Sequence, residues 1–105
     1  MANHTVPHGA IGTAEFTLTA STVDTVTFTD NDVAVVEVIS DGAAAVWWSS
    51  GDAEDVVTPT VGGAKCFYIP AAPAVDEREA RSARETVVKL ISAGTPKIRV
   101  QRKGY

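Results

Sequence analysis

Ala14, Phe16, Leu18 and Ala20 alternate with Glu15, Thr17 and Thr19. A period of two puts one set on each face of a β-strand, whereas on a helix it would scatter both sets around the axis. The same alternation returns in Val26 and Phe28 between Thr25, Thr27 and Thr29, and again in Ile98 and Val100 between Lys97, Arg99 and Gln101. Turn-forming residues cut each run short. Asp30-Asn31-Asp32, Asp41-Gly42, Ser50-Gly51-Asp52, Gly62-Gly63 and Ser92-Ala93-Gly94-Thr95-Pro96 are all rich in residues that bond their own backbone or accept positive φ. A chain written this way folds by stacking short strands.

Three further runs are apolar on both faces or aromatic. Val33–Ile39 is interrupted only by Glu37, and Thr86–Ile91 only by Lys89. Runs of this kind suit interior strands or strands covered by a neighbour. Asp41-Gly42 predicts a hairpin that returns through Ala43–Ser49. Lys65–Ile69 predicts a short aromatic strand, ended by Pro70 and Pro73, which restrict regular structure around them. Asp76–Glu85 is rich in Glu, Arg and Ala but has no apolar stripe, and it reads as a charged loop with at most one helical turn.

Composition agrees with the pattern. The 105 residues include 16 Ala, 15 Val and 12 Thr but only 7 aromatics, and β-branched residues fit a pleated surface better than a helix. A domain of this length buries roughly 65% of the surface its unfolded chain exposes, so one core forms without metal or disulfide. The expected fold is all-β: a single small β-sandwich or barrel of about seven short strands over residues 14–105. Residues 1–13 read as an N-terminal arm, either an untied end or one that orders on a neighbouring subunit.

Several chemistries are set aside. The pI near 5 and net charge of −4 argue against nucleic acid as a general partner. No apolar run reaches the roughly 18 residues of a membrane span, and the start lacks the regions of a secretory signal. Cys66 is the only cysteine, and no histidine follows His8 to activate it. His4 and His8 have helical metal-site spacing, but Pro7 and Gly9 oppose a helix there. Asp30, Asp32, Asp52, Glu54 and Asp55 lack calcium-loop spacing, and Ser49-Ser50-Gly51 is not a nucleophile elbow. No catalytic residue, cofactor site or metal site is expected, and an enzyme is not.

Two features point to assembly instead. Residues 1–64 hold nine acidic and no basic residues, whereas residues 65–105 hold nine basic and four acidic, so the halves carry −9 and +5. Such charges either pair within one monomer or complement each other between copies. In addition, Trp47 and Trp48 are sequence neighbours, and neighbours on a strand point to opposite faces. One indole should face outward, where aromatic anchors concentrate binding energy. The expected interface residues are Trp47 and Trp48, His4 and Val6 of the arm, and Arg99 and Arg102 of the basic half.

The run Val36-Glu37-Val38 with Asp41-Gly42, then Ala45-Val46-Trp47-Trp48, Gly51, Thr58–Gly63 and Tyr68-Ile69-Pro70-Ala71, and finally Thr86–Gly94 with Ile98-Arg99-Val100, resembles small β-sandwich virion proteins of tailed bacteriophages. The resemblance covers about residues 14–102. It implies a capsid decoration or minor capsid protein, assembled in the host cytoplasm into the virion. Such a protein binds the major capsid protein or other virion proteins, often as a homotrimer, and stabilises the head lattice. It carries over no functional residues. A tail or head–tail connector component is the alternative, and a carbohydrate-binding β-sandwich using Trp47 or Trp48 as a stacking platform is a second.

Overall fold

The structure is a computed structural model that describes residues 3–6, 13–29, 34–79 and 86–104, with the backbone alone described for residues 34, 79 and 102–104. Nine strands form two packed sheets, and the described residues contain no helix. In chain order they are β1 Asn3–Val6, β2 Thr13–Thr17, β3 Asp24–Phe28, β4 Ala34–Ser40, β5 Val46–Gly51, β6 Phe67–Ile69, β7 Ala74–Glu79, β8 Val87–Ser92 and β9 Lys97–Gly104. The five-stranded sheet has the order β1-β3-β8-β5-β6 and the four-stranded sheet β2-β9-β4-β7. All pairings are antiparallel except β1 with β3. The expected all-β sandwich is therefore the fold.

The alternation does the sorting between core and surface. Val26 and Phe28 of β3, Val88 and Leu90 of β8, Val46 and Trp48 of β5, and Ile69 of β6 face Val36 and Val38 of β4 and Ile98 and Val100 of β9 across the sandwich, all buried. Leu18, just after β2, closes the layer at 1% exposure. Its N–H donates to the Pro96 carbonyl at 3.0 Å.

Four expectations change. Residues 3–6 are not an arm outside the sandwich. They form β1, Val6 is 4% exposed in the core, and His4 stacks on Phe16 at 4.0 Å with its Nε2 3.0 Å from Asp24 Oδ2. Parallel pairing with β3 gives the backbone of β1 partners that an untied end lacks.

Asp41-Gly42 is a tight turn, as expected, but not a hairpin. Asp41 Oδ1 accepts from the Ala43 N–H at 3.0 Å, and Gly42 has φ of +85°. However, β4 pairs with β7 and β9 while β5 pairs with β6 and β8, so the turn carries the chain from one sheet to the other. Gly42 also lies against the Pro73 backbone so closely that an added Cβ would sit 2.3 Å from the Pro73 nitrogen. A turn signal fixes local curvature and not which strands pair.

The charged stretch from Asp76 begins inside a strand. Ala74–Glu79 is β7, an edge strand of the four-stranded sheet. Its polarity is inverted: Val75 is 58% exposed, whereas Asp76 and Arg78 turn toward the gap between the sheets. The remainder of that stretch, residues 80–85, lies outside the described residues, as do His8, Asp30 and Asp32.

Trp48, expected among the interface residues, is 0% exposed and belongs to the core.

Both faces of β8 are apolar for a visible reason. Its inner residues Val88 and Leu90 enter the core, and its outer residues Val87 and Ile91 are also buried. The segment after β5 folds back onto that outer face. Ser49 Oγ donates to the Val57 carbonyl, Lys89 Nζ donates to Thr58 Oγ1 at 3.4 Å, and Val56 closes on Gly51 where a Cβ would touch it at 3.3 Å.

Candidate docking surfaces

The outer face of the five-stranded sheet carries an aromatic row. Register aligns Tyr68 of β6, Trp47 of β5 and Ile91 of β8 side by side. The Trp47 and Tyr68 rings lie 5.3 Å apart, tilted by 50°. Trp47 is half-buried, Tyr68 is 54% exposed, and Ile91 is buried beside them. Val57 and Val61, in the loop that leaves β5, add two more exposed apolar side chains. One indole out and one in follows from strand alternation, as expected of Trp47-Trp48.

The outer face of the four-stranded sheet is built from charge. Register sets Glu15 of β2 beside Arg99 of β9, Arg99 beside Ile39 of β4, and Ile39 beside Val75 of β7. One row away lie Thr13, Gln101, Glu37 and Glu77, with Gln101 Nε2 donating to Glu37 Oε1. Lys97 Nζ is 2.8 Å from Glu15 Oε1, and Arg99 Nη1 is 3.9 Å from Glu15 Oε2. The hydrogen bond and charge of Lys97 hold the Glu15 carboxyl below its ordinary pKa, and Glu15 holds the Lys97 ammonium above its own. Thus Arg99, expected at an interface between copies, faces an acidic partner within its own sheet. The Arg102 side chain lies outside the described residues.

A third feature opens where β5, β6 and β7 meet. Trp48 Nε1 donates to Asp76 Oδ2 at 2.9 Å, and Arg78 Nε donates to Asp76 Oδ1 at 3.0 Å. The Arg78 guanidinium lies over the Phe67 ring, 4.2 Å from its centroid, and Phe67 packs on Trp48 at 4.8 Å. These four side chains form a closed circuit at the mouth of a cleft of about 600 Å³. Ser50 on the cleft wall has a buried Oγ with no hydrogen-bond partner.

Sequence reasoning missed Tyr68, Asp76, Arg78 and Ser50. Tyr68 was within reach, because the alternation that turns Phe67 and Ile69 inward turns Tyr68 outward. Asp76 and Arg78 gave no such signal, because an inward carboxylate makes sense only once the Trp48 N–H is known to need an acceptor. Among the described residues no group of three His, Cys, Asp or Glu side chains is placed to hold a metal ion. No family model, curated protein or solved structure matches the chain.

Proposed function

We propose that this chain is a virion structural protein of a tailed bacteriophage, a decoration or minor capsid protein that binds the head lattice and stabilises it. The observation that carries the reading is the Tyr68–Trp47–Ile91 row, an aromatic surface on the outside of a sheet that is already paired and packed. Rings on a rigid sheet lose little conformational freedom on docking, which is why exposed Trp and Tyr serve as anchors. The sequence resemblance to small phage β-sandwiches supports the same reading. Each copy would make a few modest contacts, multiplied by the repeat of the lattice or by trimerisation.

The pair of half-buried Trp47 and exposed Tyr68 also favours a second reading, a carbohydrate-binding module. The 50° tilt between the rings weighs against it, because a sugar ring stacks best on a single flat platform.

The test adds the purified protein to mature capsids assembled from the major capsid protein of the same genome. Binding that raises their heat resistance, and that is lost in Trp47→Ala, supports the proposal. Rings or tubes in electron micrographs without capsid binding would move the assignment to the tail or connector. Glycan-array binding lost in Trp47→Ala would move it to the carbohydrate module.

A further inference from the structure

The cleft between β5, β6 and β7 is separate from the aromatic row and has its own chemistry. Its volume of about 600 Å³ falls in the range of small-ligand sites, roughly 300–1,000 Å³. Phe67 supplies aromatic surface and Val56 and Val57 aliphatic surface, with the fully buried Trp48 behind them. The charged groups on its wall are Asp55, Lys65 and Arg78, with Asp76 paired to Arg78.

Arg78 is held in place rather than loose. Its Nε is bonded to Asp76, its guanidinium plane rests on Phe67, and Asp76 is itself fixed by the Trp48 indole. Three strands thus orient one cation that remains 47% exposed at the mouth of the cleft. A guanidinium buttressed this way loses little entropy on meeting a planar anion, and its fork geometry matches a carboxylate. On the wall, the Ser50 hydroxyl is buried without a partner, and a ligand that bonds to it satisfies that group.

We infer that this cleft binds a carboxylate carried on an apolar body, with Arg78 taking the carboxylate, Ser50 making a second hydrogen bond, and Phe67, Val56 and Val57 covering the apolar part. In a protein partner the group is supplied by a C-terminal residue or by an acidic side chain flanked by apolar residues. Asp55 on the same wall disfavours a more highly charged anion such as phosphate.

The inference does not depend on the virion reading, and the experiment keeps the two apart. The ¹⁵N-labelled protein is titrated with acetyl-leucine, with acetyl-leucyl-glutamate α-amide, whose side-chain carboxylate is free, with acetyl-leucinamide and with inorganic phosphate. Backbone amide signals of Ser50, Phe67 and Arg78 and the Trp48 indole N–H are followed by NMR. Saturable shifts at these signals with either acid, and none with acetyl-leucinamide, are expected, and the tighter of the two acids identifies the source of the carboxylate. Arg78→Gln weakens binding about tenfold or more, as loss of a charged hydrogen bond does, and Ser50→Ala weakens it less. Trp47→Ala leaves it unchanged even if it abolishes capsid binding. Arg78→Lys, which keeps the charge, tests whether a folded variant without the fork still binds, and weakened binding is expected. Equal shifts with acetyl-leucinamide or with phosphate, no saturable shift, or unaltered binding in Arg78→Gln would overturn the inference.

Discussion

The two outer faces of the sandwich obey the same alternation and are chemically opposite. On the four-stranded sheet, outward positions hold Glu15, Lys97, Arg99, Glu37, Gln101 and Glu77, and charge meets charge across neighbouring strands. On the five-stranded sheet, outward positions hold Tyr68, Trp47, Ile91 and Val87, and a loop of the same chain lies over part of them. The first face pairs Glu15 with Lys97 and Arg99 and Glu37 with Gln101, and its exposed apolar side chain is the isolated Val75. The second keeps a half-covered aromatic row, which is where docking would release ordered water from apolar surface.

The largest effect that sharpens this contrast concerns the adjacent tryptophans. Trp48→Ala removes a fully buried ring and one of the two bonds to Asp76, and should cost about 3–5 kcal/mol in chemical denaturation. Trp47→Ala should cost much less, about 1 kcal/mol, because its ring is already half in water. Equal costs would mean that Trp47 serves the fold rather than a partner.

The covering loop gives the next test. Val87→Ala, on the outer face beside Gly51 where the loop folds back, should cost about 1–3 kcal/mol, as truncation of a buried aliphatic side chain does. Ile39→Ala, on the charged outer face and only half-buried, should cost less than half as much. Similar losses in thermal melts would break the contrast between a covered and an open face.

Binding comes third. Trp47→Ala or Tyr68→Ala should weaken capsid binding about tenfold or more per site, as truncation of an aromatic anchor does. Arg99→Ala and Val75→Ser should leave it nearly unchanged in a sedimentation assay. If the charged-face variants were the damaging ones, the docking surface would lie on the other sheet.

The smallest effect belongs to the exposed Glu15–Lys97 pair. A carboxyl whose folded pKa is depressed stabilises the fold above its unfolded pKa and loses that contribution as the pH falls through the folded value. Lys97, raised, contributes below its unfolded pKa and loses its share as the pH rises through the folded one. NMR titration should find the Glu15 midpoint below the ordinary glutamate value and returning toward it in Lys97→Met or in 1 M salt, where screening acts within about 3 Å. Stability itself should move little, because surface pairs contribute little.

The strands were legible because local periodicity reports local exposure. Val26 and Phe28, Ile98 and Val100, and the opposed Trp47 and Trp48 all lie on the faces their spacing implies. β1 and β7 were not legible, since four residues of β1 show no full period and β7 turns Asp76 and Arg78 inward and Val75 outward. The candidate site was half legible. That the two indoles point to opposite faces followed from spacing alone, whereas which of them faces out, its companion Tyr68 and the Asp76–Arg78 circuit depended on which strands lie side by side.

The sequence by itself determined the all-β character, the two-faced strands, the turn positions and the opposed directions of the two indoles, because each depends on residues within one strand's length. The tertiary structure alone decided that Asp41-Gly42 crosses between sheets, that Val6 closes the core, that Glu15 meets Lys97 and Arg99, and that Trp48 and Asp76 fix Arg78 beside a cleft. Those pairings join residues far apart along the chain. They are settled by which arrangement buries the most apolar surface while leaving the fewest polar groups unbonded.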